Sequence, residues 1–302
     1  MILSRAESRA LELLDREEPI VLPGDVLVKV RACGVCGIDV RIVDGVMPVV
    51  DFPLVPGHEI VGVVEDIGDG VTHLEPGDRV GIPWLGHTCG QCGYCKSGRE
   101  HLCPDARFTG YQADGGFAEY AVADAQYVVK IPESYSDTEA APLLCAGLTG
   151  YRAYRTAGEG RRLRIYGDGV AADFAAQLAA RDGREVCAAE GDEPVDAAII
   201  FAPVGALVPE ALARVAAGGT VVCAGMHMSD IPSFEYGRLA GDRVVRSVSN
   251  MTRKDAADFL AIAQTLPFRT PVQRYTLGDA NRALADLREG RVSGAAVLEV
   301  DS

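Results

Sequence analysis

An α/β chain with a β-rich first domain and a shortened, doubly wound nucleotide-binding domain behind it is the architecture this sequence predicts. Short period-2 strands broken by glycine turns run to about residue 130. A strand, glycine turn, helix and second strand follow from Leu163, the βαβ pattern of a parallel sheet. Only five residues, Gly191 to Val195, then lead to the next apolar strand, too few for a helical crossover of at least about 10 to 12 residues. At 302 residues and 48% hydrophobic, the chain is long enough to bury two cores.

The first domain is read as residues 1–150. Pro23-Gly24-Asp25 is a turn, and Val26-Leu27-Val28-Lys29-Val30-Arg31 alternates as a half-buried strand does. Strand-like text continues from Glu59 to Glu65 and from Val71 to Val80, with Gly68, Gly70 and Gly77 marking turns, so a small barrel is expected. Strands resume after Gly115 and run through Ile131, after which Asp137 to Leu148 reads as a helix that carries Cys145 and continues towards Tyr154.

The second domain is read as residues 151–266. Leu163 to Gly167 is a buried strand that opens on Gly167-Asp168-Gly169-Val170-Ala171-Ala172, and an Ala-rich helix follows to about Arg181. Glu185 to Glu190 is the next strand. Gly167, Gly169 and Ala172 stand at the three positions of a Rossmann phosphate turn, and Glu190 lies about 20 residues on, where that fold places its ribose-binding acid. Returning from Glu190 to the strand at Asp196 across one intervening strand takes about 16 Å along and 10 Å sideways, within reach of an extended linker. The sheet is therefore expected to lack one strand and one helix on its adenosine-side edge. Helix from Val208 to Ala216, strand from Gly219, strand from Val244 to Val248 and helix from Arg253 to Gln264 complete it. Residues 267–302, with a helix from Asp279 to Glu289, are expected to return to the first domain.

Composition narrows the partners. Forty-three Asp and Glu against 29 Lys and Arg give a net charge of −14, which opposes nucleic acid and anionic membranes and leaves a small molecule as the expected ligand. Neither a membrane span nor a leader is read at the N-terminus, so a cytoplasmic protein is expected. In a reducing compartment, nine cysteines argue for metal ligation over disulfides. Cys89, Cys92, Cys95 and Cys103, interleaved with Gly90, Gly93 and Gly98, have the spacing of a closed tetrahedral zinc site. Such a site has no open position, so its role is to fold the lobe. Separately, His58 beside Glu59 in Pro56-Gly57-His58-Glu59-Ile60-Val61-Gly62, with Cys36 upstream and Cys145 downstream in small apolar settings, is a candidate second metal centre.

These residues resemble the zinc-dependent medium-chain alcohol dehydrogenases, over essentially the whole chain. The family's zinc signature stands as Gly57, His58, Glu59, Gly62 and Gly68. The resemblance implies a GroES-like catalytic domain, a Rossmann domain here truncated, and a homodimer or homotetramer. It also implies a catalytic zinc on Cys36, His58 and Cys145 with Glu59 nearby, and a structural zinc on Cys89, Cys92, Cys95 and Cys103. Alcohol dehydrogenase is itself the standard example of a zinc held by two cysteines and a histidine, so that ligand set is taken from the resemblance. By the same resemblance Asp39 orients a zinc ligand, Trp84 and His87 lie near the substrate, and NAD or NADP is the hydride carrier. Cys33, Cys187 and Cys223 are read as packing residues.

The departures cluster on one side of this chemistry. In Cys36-Gly37-Ile38-Asp39-Val40-Arg41 a cofactor-binding base is replaced by Gly37, a proton-passing hydroxyl by Ile38 and a relay histidine by Arg41, which stays protonated near neutral pH. Asp168 puts a negative charge in the phosphate turn, and the stretch after Glu190 is shortened. The expected activity is a zinc-dependent oxidoreductase interconverting an alcohol with an aldehyde or ketone, with water or His87 in place of the missing relay. The alternative is a zinc enzyme of the same fold, a hydrolase, lyase or isomerase, that has abandoned nicotinamide. A zinc-stabilised scaffold explains the open ligand set less well. Glu190 favours NAD, whereas Arg181 and Arg184 are candidates for a 2′-phosphate.

Overall fold

The computed structural model describes residues 1–5, 9–47 and 51–300, so Ala6 and Glu7 of the N-terminal stretch read for a leader lie outside the described residues. No helix among these is long and apolar enough to cross a membrane. The chain divides into two units, one of Met1–Cys145 with Thr252–Ser302 and one of Ala146–Met251. Residues 252–266, which the sequence pattern grouped with the nucleotide-binding stretch, thus belong to the first unit.

The first unit runs β1 (Asp25–Val35), α1 (Gly37–Val43), β2 (Glu59–Ile67), β3 (Arg79–Ile82), β4 (Leu85–His87), α2 (Gly93–Lys96), β5 (Arg107–Phe108), β6 (Tyr120–Asp124), β7 (Val129–Lys130) and α3 (Asp137–Ala140). The second runs α4 (Ala146–Thr156), β8 (Arg162–Tyr166), α5 (Val170–Arg181), β9 (Glu185–Cys187), β10 (Val195–Ile200), α6 (Leu207–Arg214), β11 (Val215–Cys223) and β12 (Val244–Ser247). The chain ends in the first unit with α7 (Arg253–Thr265), β13 (Val272–Thr276), α8 (Ala280–Arg288) and β14 (Ala295–Glu299).

The long strand β1 organises the first unit. It pairs antiparallel with β2, β6 and β14, and the sheet continues through β3 to β7 on one side and β13 on the other. Val26, Val28 and Val30 are buried along it, as period-2 alternation requires. Two of the signature glycines let neighbouring backbone approach. A Cβ on Gly62 would come within 2.3 Å of the Lys29 carbonyl oxygen, and one on Gly68 within 2.0 Å of that of Leu22.

Residues 137 to 148 depart from the continuous helix expected of them. Asp137–Ala140 is α-helical, Ala141–Leu144 is a 3₁₀ turn, and Cys145 sits at φ −130° and ψ −69° before α4 begins. Pro142 is the cause: without an N–H it cannot bond to the carbonyl of Thr138, and its ring crowds that turn. The break sets Cys145 on a joint rather than on a helix face.

In the second unit a parallel sheet has the order β12-β11-β10-β8-β9. Among the described residues β9 pairs only with β8 and forms the edge, with no strand beyond it, as the short linker predicts. The strand read through Glu190 stops at Cys187, and residues 188–194 make the crossing over β8. Seven extended residues span about 23 Å, enough for that path. Likewise α6 ends at Arg214 and β11 begins at Val215, where helix was read to Ala216. On one sheet face Val208, Ala211 and Leu212 of α6 pack on Tyr166, Ala198 and Ile200, with Cys187 and Cys223 at the margin of that core. Helices α4 and α5 meet closely at Gly150, where a Cβ would lie 2.5 Å from the Ala171 carbonyl oxygen.

Candidate functional site

Strands β1 and β2 and the joint at Cys145 bring four ligand-bearing side chains together. Donor atoms of Cys36, His58, Glu59 and Cys145 all lie within 4.8 Å of one another. Cys36 stands where β1 ends and α1 begins, as the helix N-cap, and its Sγ accepts the Ile38 backbone N–H at 3.3 Å. Asp39 closes the capping box, one carboxylate oxygen accepting the Cys36 backbone N–H at 2.8 Å. Its other oxygen lies 3.1 Å from Nδ1 of His58, and both side chains are fully buried. One carboxylate therefore anchors the helix start and sets the imidazole tautomer, leaving Nε2 facing the thiols, 3.3 Å from Cys36 Sγ. Trp84 meets the His58 ring edge-on at 4.9 Å and is itself stacked on Phe108 and Tyr111.

Replacing Asp39 with Asn tests that arrangement, because an amide offers one acceptor where the carboxylate serves two donors, His58 Nδ1–H and the Cys36 N–H, and it removes the charge beside the imidazole. Asp39→Asn is expected to lower kcat/KM about 10- to 100-fold. A change of less than twofold would remove Asp39 from the site.

Electrostatics fit a divalent cation. The neighbouring Cys145 thiol and then burial hold the Cys36 thiol well above its ordinary pKa. Burial also raises Cys145, against the hydrogen bond with Cys36 that lowers it. Burial works to lower His58, but the Asp39 carboxylate and Cys36 outweigh it and leave the imidazole pKa well raised. Burial pushes Glu59 up to about 7, with Asp39 adding to the rise and His58 opposing it. Two thiols, an imidazole and a carboxyl crowded in this way retain protons that a soft divalent metal would displace, and the donor set suits zinc.

Gly34, which sequence reasoning did not single out, makes room for Glu59. It faces Glu59 across β1 and β2, and a Cβ there would lie 2.0 Å from Glu59 Oε2. Its only sequence signal was a glycine inside a strand pattern. Gly57 holds φ +100° beside Phe117, whose Cδ1 would sit 2.5 Å from a Cβ.

The second thiol cluster lies around α2. Cys89 and Cys103 Sγ are 3.5 Å apart, as are Cys92 and Cys95, with Cys89 and Cys95 at 4.0 Å. These separations are far longer than a disulfide's roughly 2.05 Å, and all four cysteines are free. Backbone N–H groups of Cys89, Cys92 and Cys95 donate to the sulfurs of Cys103, Cys89 and Cys92. Backbone hydrogen bonds lower the Cys89 pKa, whereas burial raises that of its neighbour Cys103, so one of the two sulfurs keeps the shared proton until a metal displaces it.

His87 does not join the first cluster. Its Nδ1 lies 2.8 Å from Asp124 Oδ2, its side chain is half exposed, and its ring neighbours Tyr127. Strand β4 carries it to Asp124, outside the group of four donors. Ile38 offers the site only its backbone N–H, and Arg41 keeps a buried Nε without an acceptor among the described residues.

In the second unit the glycine turn lies between β8 and α5. Gly167 has φ +93° with a would-be Cβ 2.5 Å from the Ala202 nitrogen, and Gly169 is the N-cap of α5 at φ +104°. Gly167, Asp168 and Gly169 are all exposed, and Ala172 is buried on α5. The Asp168 charge is felt by Asp173, whose pKa is raised by burial and then by that neighbour. Glu190 is exposed in the turn after β9. Both arginines considered for a 2′-phosphate have neighbours, although Nε and Nη2 of Arg184 have no acceptor among the described residues. Arg184 donates to the Gly158 carbonyl at 2.9 Å and lies over the Tyr154 ring, while Arg181 pairs with Asp182.

Residues 22–133 match the alcohol dehydrogenase GroES-like domain family. The chain is 42% identical to the probable alcohol dehydrogenase AdhA of Mycobacterium tuberculosis, with 95% of this chain and 92% of that one covered. Among solved structures, a cobalt- and zinc-bound thermostable alcohol dehydrogenase from Pyrobaculum aerophilum aligns with a TM-score of 0.86 at 26% identity, covering 99% and 98% of the two chains. An acetophenone reductase from Geotrichum candidum in complex with NAD aligns with a TM-score of 0.85 at 25% identity, covering 97% and 95%.

Proposed function

Because this chain belongs to the zinc-dependent medium-chain alcohol dehydrogenase family, we propose that Cys36, His58 and Cys145 hold a catalytic zinc at which an alcohol and an aldehyde or ketone are interconverted with NAD. Whole-length relatives named alcohol dehydrogenase favour the oxidoreductase over a zinc enzyme that has abandoned nicotinamide. The observation that carries the reading is the convergence of two thiols, His58 Nε2 and Glu59 within 4.8 Å, with Asp39 fixing the imidazole.

Zinc held there would polarise the substrate oxygen and lower the alcohol's pKa, and the nicotinamide would accept the hydride. The chain's own residues prepare that chemistry. Asp39 keeps the His58 proton on Nδ1, so that Nε2 is a lone-pair donor. Glu59 completes the donor set from the β2 side, seated over Gly34. Trp84 presents an aromatic wall beside His58 that sheds water from the ring edge. With an isoleucine at position 38 supplying no hydroxyl, the alcohol proton would leave through water or through His87, whose Nδ1 is held by Asp124.

Gly167 and Gly169 would present the start of α5 to the cofactor pyrophosphate, and Glu190 would accept the adenosine ribose hydroxyls. Glu190, exposed and without an ion pair among the described residues, would repel a 2′-phosphate where it would accept a ribose hydroxyl. NAD is therefore the expected cofactor. Calorimetric titration of zinc-loaded protein should give micromolar binding of NADH and at least about tenfold weaker binding of NADPH, a difference of some 1.4 kcal/mol. Equal affinities would refute the assigned preference, and no binding of either would remove nicotinamide from the reading. The dimer or tetramer implied by the family is read by light scattering of the same sample.

A further inference from the structure

Arg164 is the largest fully buried side chain among the described residues, 1% exposed in the middle of β8. It stands in register between Ala198 of β10 and Cys187 of β9. Burying a guanidinium carries a large desolvation penalty, and a residue needed only for sheet packing would be apolar like its neighbour Leu163. Strand alternation puts Arg162, Arg164 and Tyr166 on the sheet face that α6 covers.

What Arg164 touches is the shortened crossing. Its Nη2 donates to the Glu193 carbonyl at 3.1 Å, and the Gly191 backbone lies so close that a Cβ there would be 3.0 Å from that nitrogen. Arg162 donates to the Pro194 carbonyl at 3.1 Å and pairs with the Glu193 carboxylate. From α6, Arg214 faces the Asp192 carboxylate at 3.9 Å. Thus Asp192, Glu193 and Pro194 each meet an arginine, and Gly191 lies against one. Among the described residues the linker's own backbone closes a single turn, Gly191 N–H to the Ala188 carbonyl, so side chains supply its order. Glu190 lies inside that turn and carries no ion pair among the described residues.

We propose that Arg164, flanked by Arg162 and Arg214, clamps the 188–194 linker in place of the missing strand and helix, and thereby positions Glu190 for the adenosine ribose of the cofactor. The proposal rests on the nicotinamide reading above. Arg164 is a positioning residue, since it acts through the linker. Its Nε and Nη1 have no acceptor among the described residues, so the guanidinium is only partly used by the fold. Exchange for methionine loses one hydrogen bond and relieves a buried charge, and the sheet should survive it.

The test compares NADH with reduced nicotinamide mononucleotide, which lacks the adenosine half, on zinc-loaded full-length wild type and Arg164→Met. The variant should bind NADH at least about tenfold more weakly, bind the mononucleotide within twofold of wild type, and exchange the amides of 188–194 faster. Gly191→Val, which pushes on the same contact from the linker side, should give the same split if Arg164→Met does not fold. NADH binding within twofold of wild type in either folded variant overturns the clamp. So does equal weakening for both ligands, which marks a general structural role. Wild type that binds neither NADH nor NADPH overturns the nicotinamide reading together with the clamp, whereas an unaffected variant of a binding wild type overturns the clamp alone.

Discussion

Cys36→Ser is expected to lower kcat/KM for alcohol oxidation at least about a thousandfold while the protein stays folded. Serine is among the best helix N-caps, so α1 keeps its start and the Asp39 capping box. A neutral hydroxyl is a poor zinc ligand, however, and the remaining His58 and Cys145 with Glu59 lose one of two thiolates. Lewis-acid polarisation contributes several kcal/mol to such a reaction, and each 1.36 kcal/mol is tenfold in rate, which sets the size of the loss. Metal analysis on the same sample should fall from two zinc ions per chain to one, matching the two donor groups. Near-wild-type turnover in a variant holding one zinc would sink the catalytic assignment.

The second large effect concerns stability. Cys103→Ser should destabilise the lobe around α2 by at least about 3 kcal/mol, lowering Tm by some 6 °C or more and opening residues 88–103 to protease. The reason lies in what the lobe lacks. Helix α2 buries no residue, Tyr94 and Leu102 are more than 40% exposed, and among the described residues the strands β4 and β5 beside it pair only with each other. Four sulfurs around one ion would replace the apolar core that so short a segment cannot build. A chelator that removes only this metal should reproduce the effect without touching α1. An unchanged Tm and an unchanged digestion pattern in Cys103→Ser would show that the lobe stands without the cluster.

The missing relay takes on a different meaning once His87 is located. Read as a string, His87 was named beside water as the stand-in for the replaced hydroxyl and histidine. Strand β4 instead carries it to Asp124, where its nitrogen already has a carboxylate partner. A relay through His87 would therefore run by its Nε2, with Asp124 holding Nδ1.

The two donor clusters were legible because metal chemistry constrains residue types and short spacings. Cys89 to Cys103 lie within one loop, and His58 and Glu59 are adjacent, so the string alone displays them. The truncated sheet was legible too, because chain length between two strands limits what can be threaded between them, and residues 188–194 hold neither helix nor strand. The family resemblance supplied the pairing of Cys36 with Cys145. What brings Cys145 to Cys36 and His58 is a helix broken at Pro142, a backbone event that apolar periodicity does not record.

Only the tertiary structure decided the rest. Gly34 matters because β2 lays Glu59 across it, His87 because β4 delivers it to Asp124, and Arg164 because β10 and β9 flank it while the linker closes above. Each of these depends on which side chain stands opposite which across strands far apart in the chain. Sequence by itself determined the chemistry of the donors, the two-part architecture and its shortened edge, since composition, local spacing and chain length are properties of the string. Register, burial and hydrogen-bond partners are set when long-range packing selects one pairing among many, and they assign roles to residues that look ordinary in the string.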